Sequence, residues 1–214
     1  MPDSLLNSRL GRLTNSDAGR TVRPGRWVPE GKVSAMAIQT QINGLDLGTL
    51  QSVLAGWQAD PAKRQTVWRT RIEWQNGFTT TFQSRSHAPI SVDEPTSLGG
   101  ADSAPNPAEV LLGALGTCVS IGYALNAAAR GIDLRRLTLD VEGDIDLAVF
   151  GGLAQEGNPG YSNIRLRVNV DSDADADALQ ALHEHVLRTS PILSTVARPV
   201  TVTSELRIAT APTG

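Results

Sequence analysis

Apolar residues recur at helical spacing in three segments of the chain. Between Asn43 and Lys63 they return every three or four positions, and Pro61 follows the last of them. The same spacing occupies residues 173–190, where Pro191 is expected to stop the helix. A third segment, Pro107–Arg130, is apolar on every side. These patterns predict three helices, of which the middle one is the longest.

Strict alternation of apolar and polar residues marks the strands. The stretches TVWRTRIEW (66–74) and FTTTFQSRSH (78–87) flank an Asn-Gly turn, which predicts a β-hairpin. Residues 88–107 are rich in Pro, Gly, Asp and Ser and are expected to form a loop. Further alternation predicts strands in residues 134–147, 161–170 and 199–209. The order helix, hairpin, long helix, two strands, helix, strand indicates an α+β fold with antiparallel sheets.

The long central helix has no charged residue from Val110 to Ala129. Asn106 is a suitable N-cap, and Gly131 a suitable stop. A helix that is apolar on all sides is either buried or membrane-spanning. The glycines and hydroxyl residues within it make it only weakly hydrophobic, so we expect no membrane association.

Small residues line one face of this central helix: Gly113, Gly116 and Ser120. Such a stripe lets another backbone approach closely. Because the chain is short for a fully covered helix, the sequence predicts a homodimer with two such helices packed at its centre.

The composition narrows the class of protein. The net charge is −3 and the pI about 5.6, so no nucleic-acid partner is expected. A single cysteine excludes an intramolecular disulfide and fits a reducing cytoplasm, and no secretory signal is visible. The first 32 residues carry six basic and three acidic side chains. Residues 1–40 are interpreted as an arm on the protein body or a partner subunit, or as a partly ordered tail, and residues 41–214 as the domain.

No residue pattern indicates a metal or a cofactor. His183 and His185 are two positions apart on a helix, about 200° round, so they cannot face one metal and are expected to face solvent. Asp93 and Glu94 precede a proline and are expected to be solvated in the loop. The glycine pairs lie in no strand–turn–helix unit that would bind phosphate.

The region from Asp93 to Asp146 resembles the OsmC/Ohr family of thiol peroxidases and their relatives. The resemblance rests on Asp93-Glu94-Pro95, Gly99-Gly100, Asn106-Pro107 and a cysteine twelve residues after Asn106, and on the later stretch RTSPILSTVARPVTV (188–202). It implies antiparallel sheets wrapped around a long central helix, in an intertwined homodimer with two active sites at the subunit interface. It also implies reduction of hydroperoxides by a thiolate, with regeneration by a second cysteine and a dithiol.

On this resemblance Cys118 stands at the position of the attacking cysteine. Ser190 occupies the position of the second cysteine of the family's peroxidases, so the two-cysteine cycle is not possible here. Ser190 is expected to end a helix before Pro191, to lie close to Cys118, or both.

Three further residues are candidates: Glu109 and Arg85 by the same resemblance, and His87 because it converges, with Arg85, Asp93 and Glu94, on the segment that leads to the Cys118 helix. Glu109 lies one position beyond Ala108, which aligns with the family's catalytic glutamate, and Glu109 also suits the positive end of the helix dipole. Arg85 is the nearest match to the arginine that stabilises the thiolate. His87 is either a surface residue or part of the substrate site together with Ser190.

Two functions follow from these residues. The first is a one-cysteine peroxidase, in which Cys118 reduces an organic hydroperoxide and an external thiol or dithiol restores it. The second is a non-catalytic dimer that binds a small apolar ligand at its interface, with Cys118 as core packing. The loss of a cysteine at position 190 favours the second, and the retention of Cys118 favours the first.

Overall fold

The computed structural model describes residues 41–208, so the prediction for residues 1–40 lies outside the described part. Four α-helices are present: α1 (Leu47–Ala59), α2 (Pro107–Ala129), α3 (Ala176–Thr189) and α4 (Pro191–Ala197). Seven strands form three antiparallel sheets: β1 (Gln41–Ile42) with β2 (Leu45–Asp46); β3 (Arg71–Asn76), β4 (Thr79–Gln83) and β5 (Ile90–Val92) in that order; and β6 (Arg136–Ile145) with β7 (Tyr161–Asp171). The α+β class with antiparallel sheets is confirmed.

Local sequence signals set both ends of α2. The Asn106 side chain accepts a hydrogen bond from the Glu109 N–H at 2.8 Å, and the Glu109 carboxylate accepts one from the Asn106 N–H at 2.9 Å. This reciprocal capping box satisfies two N–H groups that the helix itself leaves free. At the other end Gly131 has φ +70°, a conformation that suits glycine. The predicted helix and its caps are confirmed.

The hydrophobic core lies between α2, α3 and the β6–β7 sheet. Leu115, Val119 and Tyr123 of α2 pack with Leu182 and Val186 of α3, and all five are buried. The alternating residues of β6 and β7 present one apolar face to this cluster, as the pattern predicted. One side of α2 is therefore covered within its own chain.

Two small residues of α2 also have close contacts within their own chain. A Cβ at Gly116 would lie 3.1 Å from Cγ2 of Val141 in β6, and one at Gly122 would lie 3.0 Å from Cγ1 of Val186 in α3. The chain's own sheet therefore packs closely against Gly116, and the packing of the small-residue face against a partner helix stays a prediction. A Cβ at Gly113 would have no other atom within 4 Å. Ser120 lies with Gly116 beside β6.

The β3–β4–β5 sheet has little cover among the described residues. The predicted hairpin is confirmed, with Gly77 in its turn at φ +53°. Strand β5 lies in the segment that was predicted to be a loop, so that prediction is corrected. A strand of only three residues is too short to show an alternating pattern in the sequence. Large apolar side chains remain exposed in or beside β3, including Trp74 at 70%.

The predicted strand at residues 199–209 is wrong over its described part, residues 199–208. This stretch pairs with no strand of residues 41–208, and Val202 is 88% exposed. An alternating pattern forms a strand only where a neighbouring edge accepts its hydrogen bonds. The helix α4 was missed because Pro191 was interpreted only as a stop, whereas proline is also favoured in a first helical turn.

Of the described helices, α2 alone has the length and mean hydropathy, 1.6, of a membrane-spanning segment. The core helix of a soluble protein has the same properties, and α2 packs against α3 and β6. One face of α2 therefore belongs to the core, while only 17% of its most apolar window is buried.

Candidate functional site

The single cysteine lies on α2 at the junction of α3 and α4. Cys118 is half-buried, and its Sγ is 3.4 Å from Oγ of Ser190, a residue 72 positions away in the sequence. The core contacts of the neighbouring Val119 hold this turn of α2 against α3. The sulfur is therefore accessible but has a fixed hydroxyl partner.

Ser190 joins two helices. Its N–H donates to the carbonyl of Val186 at 3.0 Å and so ends α3. Its Oγ accepts from the N–H of Leu193 at 3.4 Å and so begins α4. The residue is only 5% exposed. Both placements expected for Ser190, at a helix end and close to Cys118, are present, while its role toward substrate stays a prediction.

An open groove of about 700 Å³ borders the sulfur. Trp57 of α1, Ile121 and Leu125 of α2, and Ile192 of α4 give it mostly apolar walls. Ile121 is 69% exposed and faces this groove. Because α2 shows an uncovered apolar face here, the groove can accept an apolar molecule or a second protein surface.

Arg85 and His87 lie together in the turn after β4. Nη2 of Arg85 is 2.9 Å from Nε2 of His87, and both side chains are exposed. Arg85 has φ +54°, a conformation that non-glycine residues adopt mainly in turns. Within residues 41–208, neither side chain hydrogen-bonds Cys118. Their predicted roles in one active site stay predictions.

The structure does not bring Glu109 to the sulfur of its own chain. Its carboxylate is bound to the Asn106 N–H at the start of α2. Glu109 precedes Cys118 by nine positions, which is two and a half helical turns and the opposite side of the helix. It lines a different groove, beside Leu139 and Val141 of β6. The observed role of Glu109 is helix capping.

Asp93 departs from the expected loop solvation, because it is buried. Its carboxylate accepts hydrogen bonds from the N–H groups of Glu94, Ala101 and Ser103 and from the Ser103 hydroxyl, at 2.8–3.2 Å. Bonds from the Ser103 side chain and from the backbone lower the pKa of Asp93. The carboxylate thus ties together the loop that leads into α2. The run of Gly, Asp and Ser that follows this acidic residue in the sequence was the signal from which such a hydrogen-bonded loop could have been predicted.

The prediction that both α3 histidines face solvent is wrong. His183 is half-buried, and its Nδ1 is 2.5 Å from the hydroxyl of Tyr123. Burial raises the pKa of Tyr123 to about 12, so the phenol keeps its proton at neutral pH and shares a hydrogen bond with the ring nitrogen. The helical spacing of apolar residues in α3 could not predict this contact, because the phenol belongs to α2.

His185 is also half-buried and lines the groove beside Cys118. Nη2 of Arg188 is 3.1 Å from its Nδ1, and Nη1 of Arg130 donates to the carbonyl of Asn126 at 2.9 Å. Burial, followed by the positive charges of Arg130 and Arg188, lowers the pKa of His185. Within residues 41–208, no three metal-binding side chains cluster here or elsewhere.

Comparison with known proteins agrees with this architecture. Residues 100–205, about half the chain, match the family model described as OsmC-like protein. The chain belongs to the OsmC/Ohr family, which includes hydroperoxide resistance proteins, and the resemblance seen in the sequence is confirmed. No curated protein matches the sequence.

Solved structures show the same fold at low sequence identity. An OsmC-like protein from Mycoplasma pneumoniae is 19% identical with a TM-score of 0.54, over 62% of this chain and 89% of that chain. An OsmC-like protein of unknown function from Vibrio cholerae is 12% identical with a TM-score of 0.50, over 61% and 94%. A candidate osmotic stress and detoxification response protein from Psychrobacter arcticus is 17% identical with a TM-score of 0.51, over 61% and 89%.

Proposed function

We propose that the protein is a one-cysteine thiol peroxidase of the cytoplasm that reduces organic hydroperoxides through Cys118. The observation that carries the proposal is the position of Sγ, 3.4 Å from a hydroxyl and at the wall of an open apolar groove. An apolar wall suits the organic part of a hydroperoxide, and a half-buried thiol at its side is accessible to the peroxide oxygens.

The reaction needs two half-cycles. The Cys118 thiolate attacks one peroxide oxygen, so that an S–O bond forms, the O–O bond breaks and the alkoxide leaves as an alcohol after taking a proton. Sulfur is oxidised by two electrons to a sulfenic acid. An external thiol then displaces water to give a mixed disulfide, and a second thiol releases the Cys118 thiol and an external disulfide.

Ser190 explains why the reductant must be external. Its oxygen cannot form a disulfide, although it occupies the place nearest to the sulfur. A hydroxyl at this distance can donate a hydrogen bond to a thiolate or to a sulfenate. Ser190 thus supports the first half-cycle and leaves the second to a thiol or dithiol from solution.

The functional form in this proposal is a homodimer. Two surfaces support it: the exposed β3–β4–β5 sheet and the exposed face of α2 around Ile121. Family members are typically homodimers. Arg85 and His87, of this chain or of a second copy, are the candidates for the positive charge that activates a thiol. Sedimentation as a monomer at micromolar concentration would rule this assembly out.

One observation favours the non-catalytic alternative, a dimer that only binds a small apolar ligand. Among residues 41–208, the hydrogen-bond partner of Cys118 is a serine and not a basic side chain. A thiol without a nearby cation is poorly activated. The two functions therefore differ in whether Cys118 changes its oxidation state.

The deciding experiment follows the sulfur directly. The full chain is treated with cumene hydroperoxide and a sulfenic-acid trap, and its intact mass is compared with that of Cys118→Ser. We expect one adduct on the wild type and none on the variant, together with peroxide consumption that depends on dithiothreitol or dihydrolipoamide. Absence of both the adduct and the consumption would leave the binding function alone.

A further inference from the structure

We propose that His185 donates a hydrogen bond to the leaving oxygen of the peroxide while Cys118 attacks, and that Arg188 holds the imidazole ring for this role. The inference rests on the proposed function and adds one catalytic and one positioning residue to it. No step of the proposed reaction uses either side chain so far. His185 belongs to α3, whereas the surface assigned to a second copy is the exposed face of α2 around Ile121.

The alignment of α2 with α3 brings His185 near the sulfur. His185 and Cys118 line the same groove. Sγ of Cys118 is 3.4 Å from Oγ of Ser190. One helical turn further along α2, which is about 6 Å, a Cβ at Gly122 would lie 3.0 Å from Cγ1 of Val186 in α3. Because His185 directly precedes Val186, it lies about one helical turn from the sulfur along this contact.

The contact with Arg188 fixes which ring nitrogen carries the hydrogen. Nη2 of Arg188 is 3.1 Å from Nδ1 of His185. A guanidinium group only donates hydrogen bonds, so Nδ1 accepts and the hydrogen of the neutral ring lies on Nε2. Burial, followed by the positive charges of Arg130 and Arg188, lowers the pKa of His185 and so keeps the ring neutral at pH 7. Within residues 41–208 the Nε2–H makes no hydrogen bond, so it remains available to a molecule in the groove.

A donor at this place reaches the oxygen that leaves. A peroxide oxygen ready for attack lies about 3–3.5 Å from the sulfur, and a hydrogen-bond donor lies about 3 Å from its acceptor. Together these distances span the separation of about one helical turn between the sulfur and His185.

The hydrogen bond acts on the charge that develops as the O–O bond breaks. The S–O bond forms with the electron pair of the thiolate, and the electron pair of the O–O bond passes to the leaving oxygen. The Nε2–H of His185 stabilises this negative charge by a hydrogen bond. A proton from solvent, equal to the one that the thiol released on ionising, then completes the alcohol. The ring stays neutral throughout.

This role makes the effect of His185 depend on the leaving group. The alkoxide from cumene hydroperoxide is strongly basic and needs the donor, whereas the carboxylate that leaves a peroxycarboxylic acid is weakly basic. We expect His185→Leu to slow oxidation of Cys118 by cumene hydroperoxide about 10- to 100-fold, and by 3-chloroperoxybenzoic acid no more than about threefold. His185→Gln keeps an N–H donor and should keep most of the rate. Arg188→Leu should slow the cumene hydroperoxide reaction about two- to fivefold, because the ring keeps its donor but loses its fixed tautomer.

Single-turnover oxidation of the full chain tests the proposal. Wild type and the three variants are mixed with each oxidant and a sulfenic-acid trap, and intact mass at successive times gives the rate of adduct formation at Cys118. The peroxycarboxylic acid is the control for folding, since a distorted site would change both rates alike. Three results would each overturn the inference: equal slowing of both oxidants in His185→Leu, no slowing of either, or an equal loss of rate in His185→Gln.

Failure of this inference is distinguishable from failure of the proposed function. If cumene hydroperoxide gives no adduct on the wild type, the peroxidase is rejected and the role of His185 is rejected with it. If the wild type reacts and His185→Leu reacts equally fast, the peroxidase stands and the role of His185 alone is rejected.

Discussion

Replacing Ser190 by cysteine should create a disulfide with Cys118. The present Sγ–Oγ distance is 3.4 Å, and a disulfide needs about 2.04 Å, so the two side chains must close by roughly 1.4 Å. Side-chain rotation can supply such a movement. We therefore expect the Ser190→Cys variant to lose both free thiols when the folded protein is treated with diamide.

The size of the effect follows from the length of the chain that is closed. The bond would join residues 72 positions apart, and constraint of the unfolded chain over such a loop stabilises the folded state by about 4 kcal/mol. The reduced variant should instead be less stable than the wild type by about 1 kcal/mol, because a thiol replaces the hydroxyl that caps α4.

Thermal unfolding with and without a reductant measures the difference between the two forms. At about 2–4 °C for each kcal/mol in a chain of this size, the oxidised variant should melt roughly 10 °C above the reduced one. The double variant Cys118→Ser/Ser190→Cys keeps one thiol and is the control, with no reductant effect expected. If the folded Ser190→Cys protein retained two free thiols, or paired only between chains, the assigned geometry would be wrong.

Two further predictions concern the frame around the site. Gly100→Ala should destabilise the protein by about 1–3 kcal/mol or more in urea unfolding, because its Cβ would lie 1.9 Å from the Glu94 carbonyl oxygen. The control Gly113→Ala, whose Cβ would meet nothing within 4 Å, should leave the stability unchanged or raise it by up to about 1 kcal/mol. Equal effects of the two substitutions would contradict this reasoning. Tyr123→Phe should lose about 0.5–1.5 kcal/mol at pH 8 with the His183 bond. Because the pKa of Tyr123 is raised from 10.0 to about 12 in the folded protein, the wild type should lose stability as the pH rises through that range. Tyr123→Phe should lose less stability over the same range. Parallel pH profiles of stability for the two proteins would count against the buried phenol.

The elements that the sequence predicted well are those whose signals are local. The α2 helix was predicted with both ends because Asn106, Glu109 and Gly131 act within one helical turn of the residues they cap. The β6–β7 pair was predicted because both strands bury one face in the same chain. In both cases the pattern and the contact that explains it lie within the described residues.

The predictions that failed depended on contacts distant in sequence. Residues 199–208 have the alternation of a strand but no neighbouring edge among residues 41–208. His183 was assigned to solvent, and its partner is Tyr123. Spacing along the chain identifies a face of an element but not what covers it.

Within the candidate site, sequence spacing and family resemblance differ in what they provide. The resemblance selected Cys118 and Ser190, which the fold places 3.4 Å apart. Spacing alone could not relate them, since the contact depends on how α2 crosses the α3–α4 junction. The place of His185 beside the sulfur was missed for the same reason, since α3 and α2 each supply one wall of the groove.

The exposed β3–β4–β5 sheet has a consequence for the order of folding. Its strand pairs are close in sequence, so the hairpin can form early and rapidly. Its tryptophans and Ile72 nevertheless find little cover among residues 41–208. In the proposed homodimer they are covered only when two chains meet, which makes the last step of folding bimolecular. The half-time of that step should then shorten as protein concentration rises, and dilution should favour a partly assembled subunit.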